Sequence, residues 1–219
     1  MQRSQQDYLV LIHGLGRTSF SMRKPARFFA AKGYHVLNFG YPSTRLAIAA
    51  SAERLDQFVT QNWLDSTKRI HFLSHSLGGI VLRAYLKQLD QNRQNSGRAV
   101  MLAPPNQGSE LADKLRNFRL YKWCLGQAGQ QLGTDSMSVP LQLGAVDFEV
   151  GVIAANRSVY PLSSLIFGAA NDGLVAVDRT KVEGMKDFLI VPQVHTFVMN
   201  SEAVLHQANH FLQNGCFKI

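Results

Sequence analysis

The run Arg69-Ile70-His71-Phe72-Leu73-Ser74-His75-Ser76-Leu77-Gly78-Gly79-Ile80-Val81-Leu82 decides how the chain is read. Its first part is a short apolar stretch, expected as a strand over 69–73, and its last part opens a helix expected over 77–89. Between them Ser76 sits in a strand-to-helix turn among small residues, Ser74, Gly78 and Gly79, which let the backbone bend sharply around it. A serine held in this way stands clear of the sheet, and the start of the following helix offers it an unpaired amide, that of Leu77. The usual form of the turn has glycine two residues before the serine; Ser74 takes that place, still with a small side chain.

Outward from this turn, short apolar runs alternate with segments of helical period. Further strands are expected at 8–12, 35–39, 99–102, 149–154 and 188–192, and helices at 21–32, 46–63 and 201–213. Ser21 and Ser201 read as N-caps, Gly33 and Gly215 as helix stops, and Pro25 must then lie in a first turn. Several strands are apolar throughout, as strands buried on both faces are. The expected architecture is one α/β domain over 1–219, with a mostly parallel sheet of about six strands and helices on both faces. One segment breaks the alternation. Residues 105–148 read as a cap-like insertion, carrying a helix from Ser109 to about Leu120 and a Gly/Gln-rich connection over 126–133. The insertion leaves the sheet at the end from which Ser76 projects, where ligands bind in open α/β sheets. Leu111, Leu115, Phe118 and Leu125 share a helical face in it, and Leu115 and Phe118 are the expected substrate contacts.

A hydrophobic fraction of 46% with 17% charged residues in 219 residues places the chain among globular proteins. Its net charge of +8 is spread along the sequence without a nucleic-acid-binding signature, so no nucleic-acid partner is expected. Lys114, Arg116, Arg119 and Lys122 form a basic run with no acidic residue, which suits peripheral contact with an anionic membrane surface or, equally, a solvated basic helix. The polar first residues do not resemble a secretory leader, and no apolar run approaches the roughly 18 residues of a spanning helix, so a cytoplasmic location is expected. Cys124 and Cys216 lack metal-ligand spacing and read as free thiols.

A serine nucleophile needs a base, and the base needs an orienting carboxylate. On a sheet with this turn the order along the chain is Ser, then Asp or Glu, then His. His195 follows the last expected strand directly and is the expected base. His206 and His210 lie on the last helix, His71 lies inside a strand, and the His75 side chain is expected to point away from the site. For the carboxylate, Asp172 in Asn171-Asp172-Gly173-Leu174-Val175 occupies a turn-rich loop between the last two strands. Asp147 and Asp187 precede strands and Asp178 lies farther along the connection. The glycines of His13-Gly14-Leu15-Gly16-Arg17, at the end of the first strand, suit a loop that approaches a substrate closely; the Leu15 amide is the expected partner of the Leu77 amide in an oxyanion hole.

Together, His13-Gly14-Leu15-Gly16, Ser74-His75-Ser76-Leu77-Gly78-Gly79, Asn171-Asp172-Gly173-Leu174-Val175 and Val194-His195-Thr196-Phe197 resemble the small bacterial lipases and esterases of the α/β-hydrolase superfamily. The resemblance spans nearly the whole chain, and is to minimal members whose sheet starts at the third strand of the full fold. It implies a Ser76–Asp172–His195 triad, no cofactor, no metal, and a small-molecule carboxylic ester or lipid as substrate, cleaved through an acyl-enzyme on Ser76. The same triad also fits acyl transfer to another acceptor or thioester cleavage, and the fold alone fits a catalytically silent binding module.

Overall fold

The computed structural model describes residues 7–88, 96–115, 119–159 and 167–218, with side chains at all of these except 96 and 119–124. In chain order the elements are β1 (Tyr8–Ile12), α1 (Arg23–Ala31), β2 (His35–Phe39), α2 (Ile48–Asn62), β3 (Ile70–His75), α3 (Leu77–Gln88), β4 (Ser96–Leu102), α4 (Glu110–Leu115), α5 (Arg119–Gln130), α6 (Val139–Gln142), β5 (Val150–Arg157), β6 (Asp187–Val194) and α7 (Glu202–Asn214). The six strands form one sheet in the order β2-β1-β3-β4-β5-β6, with every neighbouring pair parallel.

The alternation of β1 explains the layers. Val10 and Ile12 join one core with Ile48, Ala52 and Leu55 of α2 and Ile80 and Val81 of α3. Leu9 and Leu11 point the other way, into a core with Phe29 of α1 and Val204, Leu205, Ala208 and Phe211 of α7. A strand with two buried faces has no polar side to show, which is why Tyr8–Ile12 is apolar at every position. The chain passes outward from β1 to β2 and then back across β1 to β3. The loops after β1 and β3 therefore leave the sheet in opposite senses and open a crevice between them, the place where such sheets bind ligands.

The strands and main helices fall where the sequence predicts them, with ends shifted by a few residues. Three local expectations are corrected. Ser21 does not cap α1: its hydroxyl donates to the Thr18 carbonyl within a 3-10 turn over Ser19–Met22, and α1 starts only at Arg23. Of the helix expected over 109–120, the described residues hold α4 over Glu110–Leu115 and the first residues of α5 from Arg119, while 116–118 lie outside the described residues. The stretch read as a Gly/Gln-rich connection instead belongs largely to α5, which is interrupted at Gly126 (φ 58°) where the helix meets the Thr44 carbonyl. A side chain at 126 would collide with that oxygen, so glycine here serves a tertiary contact that local propensity does not report. The third correction, at His75, belongs to the site.

Residues 105–148 are fastened to the rest by polar contacts, those of Arg83 largely buried. Arg83 of α3, 3% exposed, donates to the carbonyls of Asn106, Pro140 and Gly144 and to Asn106 Oδ1. Lys87, one turn on, donates to the Gln142 and Leu143 carbonyls, so two cations meet the C-terminal carbonyls of α6. Burial pulls Arg83 down to about 10, which leaves it charged at neutral pH. Glu110 pairs with Arg179 at 2.7 Å, and within the segment itself Asp113 accepts from the Thr134 amide and hydroxyl. Among the described residues no helix is long and apolar enough to cross a membrane.

Candidate active site

Strand β3 continues through His75, and the next residue, Ser76, takes a left-handed backbone conformation (φ 53°) that costs strain for a residue with a Cβ. Its amide donates to the Leu102 carbonyl, which ties the turn to the end of β4, and Leu77 begins α3 immediately afterwards. Two close approaches hold the bend. A Cβ at Gly78 would lie 2.6 Å from the Ile12 carbonyl and 2.8 Å from that of His13, so α3 can rest its first turn on β1 only with glycine there. A Cβ at Gly14 would lie 3.1 Å from Ser76 Cβ, so the loop after β1 presses directly against the serine.

That loop is braced from behind. His13 stacks on Tyr41 with ring centroids 4.4 Å apart; its Nδ1 donates to the Gly14 carbonyl, its Nε2 accepts from the Tyr41 amide, and the Tyr41 hydroxyl donates to the His13 carbonyl. Burial keeps His13 below the ordinary histidine range, consistent with this neutral donor–acceptor arrangement. Gly16 donates to Ser43 Oγ, leaving the Leu15 amide between two anchored residues and without a hydrogen-bond acceptor among the described residues.

The three side chains singled out in the sequence come together. His195 is the first residue after β6; its Nε2 lies 2.9 Å from Ser76 Oγ and its Nδ1 lies 2.6 Å from Asp172 Oδ2. Nδ1–H donates to the carboxylate, which leaves Nε2 to accept the serine hydroxyl proton. The other carboxylate oxygen, Oδ1, accepts from the Leu174 and Val175 amides, and the His195 amide donates to the Asp172 carbonyl. Asp172 and His195 are both buried, whereas Ser76 is half-exposed and reaches a cavity. The Ser74 hydroxyl is buried and has no partner among the described residues, so the two serines of the turn are in different environments.

His75 corrects an expectation. Its side chain does not point away: Nε2 donates to the His195 carbonyl at 3.0 Å, and the two rings lie 5.1 Å apart. Burial, with the His195 imidazole beside it, holds His75 well below the ordinary histidine range, so it stays neutral and steadies the main chain of the neighbouring histidine. Extending β3 by two residues in the sequence reading would have directed it here.

A cavity of about 360 Å³ opens above Ser76 and His195. Its walls are mainly apolar: Leu15, Leu174 and Val175 come from the loops after β1 and around Asp172, and Leu111, Ala112, Leu115, Leu125 and Leu132 come from the 105–148 segment. Leu115 is thus at the cavity as expected; Phe118 lies outside the described residues, as do Arg116 and the side chains of Arg119 and Lys122 in the basic run. Arg17 also lines the cavity and was not picked out, although it closes the His-Gly-Leu-Gly-Arg run that was. Among the described residues no group of three His, Cys, Asp or Glu side chains is placed to hold a metal ion.

A parallel sheet with a serine, histidine and aspartate in this relation at its topological switch point defines a member of the α/β-hydrolase class. The profile of the Alpha/beta hydrolase family matches residues 9–157, and the chain belongs to that family. No curated protein is a significant match. Among solved structures, the mature form of the lipase BlEst2 from Bacillus licheniformis superposes with a TM-score of 0.66 at 18% identity, covering 89% of this chain and 87% of that one. The phospholipase PlaB from Legionella pneumophila gives 0.67 at 18%, covering 80% and 46%. The metagenomic carboxyl esterase MGS0156 gives 0.69 at 18%, covering 88% and 65%. The chain spans about half the length of some of these, 47% in the propeptide form of BlEst2. At such identities the likeness is one of fold.

Proposed function

We propose that the protein is a serine hydrolase that cleaves carboxylic esters, with Ser76 as nucleophile, His195 as general base and acid, and Asp172 as the group that orients and stabilises His195. The observation that carries this reading is the unbroken hydrogen-bonded line from Asp172 Oδ2 through both His195 nitrogens to Ser76 Oγ, ending at an apolar cavity. His195 Nε2 takes the hydroxyl proton as Ser76 Oγ attacks the ester carbon, and the oxyanion is received by the amides of Leu15 and Leu77. His195 then returns the proton to the leaving alcohol, and water releases the acid from Ser76 by the same path. Residues 105–148 act as a cap, with Leu111, Leu115 and Leu125 covering the acyl chain. That lipases, a phospholipase and a carboxyl esterase share the fold supports an ester of lipid type as substrate.

The test is fluorophosphonate labelling together with p-nitrophenyl ester hydrolysis, in the parent protein and in Ser76→Ala and Ser74→Ala. Labelling and turnover should vanish in Ser76→Ala and persist in Ser74→Ala. Labelling that survives loss of the Ser76 hydroxyl would overturn the assignment.

A further inference from the structure

Beside the site lies a groove of about 880 Å³, formed by the loop after β1, the start of α1 and the turn before α7, and it carries Arg17, Arg23, Lys24 and Arg27. Arg17 is the residue this groove shares with the cavity of Ser76 and His195. Lys24 reaches Glu202 at 3.6 Å, while among the described residues no carboxylate pairs with Arg17, Arg23 or Arg27. Arg23 and Arg27 are one helical turn apart and share a face of α1, whose first turn holds no acidic residue. Like charges at that spacing repel each other, and the arrangement is relieved when an anion lies between them. The Arg23 guanidinium sits 4.7 Å over the ring of Phe20, which is itself largely exposed, so it is held near the groove by a contact that leaves its donors free.

The two openings differ in chemistry. The cavity over Ser76 is walled by leucines and suits a hydrocarbon chain, while the groove on the far side of Arg17 offers three uncompensated guanidinium groups. Guanidinium forks match the oxygens of a phosphate with two parallel hydrogen bonds. We propose that the groove is the subsite for a phosphate on the alcohol part of the substrate, so that the protein cleaves acyl esters of phosphate-bearing alcohols. The acyl chain enters the leucine-lined cavity, the ester carbon stands at Ser76, and the phosphate extends past Arg17 to Arg23 and Arg27. Ser76 Oγ bonds to the acyl carbon, the oxyanion so formed collapses with breakage of the bond to the alcohol oxygen, and the proton held by His195 goes to that oxygen. The phosphate-bearing alcohol leaves with its hydroxyl restored, and water later supplies the oxygen of the free acid. This assignment rests on the ester-cleaving reading of Ser76.

The experiment compares kcat/KM for dihexanoyl phosphatidic acid and dihexanoylglycerol, both kept monomeric, in the parent protein and in the double variant Arg23→Gln/Arg27→Gln. The parent should prefer the anionic ester, and the double variant should lower the ratio of the two kcat/KM values by about tenfold, chiefly through KM, as expected for two exposed cation–anion contacts. Inorganic phosphate should compete with the anionic ester in the parent and less well in the variant. The preference should shrink at high salt, because the groove is open to solvent. A ratio near one in the parent, or one that the double substitution leaves alone, overturns the subsite. So does a variant that loses only its binding to phosphatidylglycerol vesicles, since the cluster would then face a membrane and not the substrate. Binding of dihexanoyl phosphatidic acid to Ser76→Ala, measured calorimetrically with and without the two arginines, separates the two proposals. Arginine-dependent binding without turnover in the parent would sink the ester-cleaving reading and keep the phosphate site, whereas turnover of both esters without arginine-dependent binding would do the reverse.

Discussion

Replacing Asp172 with Asn probes the proposed chemistry at one atom. Asp172 Oδ1 already accepts two backbone amides, from Leu174 at 3.0 Å and Val175 at 2.8 Å, so an asparagine must place its oxygen there. Its NH2 then faces His195 Nδ1, 2.6 Å away in the parent. A nitrogen that receives a donor cannot carry its own proton, so the imidazole is driven into the tautomer with hydrogen on Nε2. That hydrogen points at Ser76 Oγ, and the base becomes a donor towards the group it should deprotonate. The charge that stabilises the imidazolium is lost as well. Loss of the correct tautomer in a serine triad costs about four orders of magnitude in kcat, or about 5.4 kcal/mol of transition-state stabilisation. The assay is p-nitrophenyl butyrate hydrolysis under saturating conditions, with circular dichroism to establish folding. Asp178, exposed and paired with Lys181, and Asp147, before β5, serve as controls that should lose little when changed to Asn. A folded Asp172→Asn protein within tenfold of the parent would refute the reasoning, as would a larger loss at either control.

Leu115→Ala should alter the chain-length profile of p-nitrophenyl ester hydrolysis more than the rate on the acetate, since Leu115 lines the cavity; a folded variant with an unaltered profile would remove α4 from the acyl site. Arg83→Met should destabilise the fold by about 3 kcal/mol, because three carbonyls and Asn106 Oδ1 lose their buried donor. Urea unfolding reads this directly, and a loss under about 1 kcal/mol would mean that water replaces the guanidinium. His71, which accepts the Arg98 amide at Nδ1, is pulled by burial from 6.5 down to about 4. The folded state then binds fewer protons than the unfolded one, so its contribution is complete above pH 6.5 and falls as the pH drops towards 4. Between pH 7 and about pH 4.5 the parent should lose about 2.5 kcal/mol more stability than His71→Gln, and parallel pH profiles for the two would count against a neutral buried His71.

The parts of this molecule that the sequence discloses are those in which local pattern and tertiary role coincide. Tyr8–Ile12 is apolar at five consecutive positions because both of its faces are covered, and β2 spans the 35–39 expected from the sequence. Ser76 and His195 are legible because they directly follow β3 and β6, and Asp172 because it stands in the turn-rich connection between β5 and β6; strand order then brings these distant segments to one place. Where the two part company, the pattern misleads. Gly126 does interrupt α5, but what requires glycine there is the close approach to the Thr44 carbonyl, which the local pattern does not report, and helix resumes after it where a connection was expected. His75 depends on how far β3 runs, and a strand misjudged by two residues loses it. The meeting of Arg17 with Arg23 and Arg27 joins a loop to a helix across the Ser19–Met22 turn, and no spacing rule encodes that turn.

The buried Arg83 has a consequence for how this protein loses its shape. The guanidinium that grips Pro140 and Gly144 stands on α3, and the first turn of α3 also fixes Ser76. Part of the 105–148 segment and the mount of Ser76, the proposed nucleophile, are therefore riveted to the same rod. Warming the protein should not first blur its choice among chain lengths and only later extinguish turnover. Both should fail over one narrow range of temperature, and an activity that outlasts the chain-length preference on heating would show that the two are not joined through Arg83.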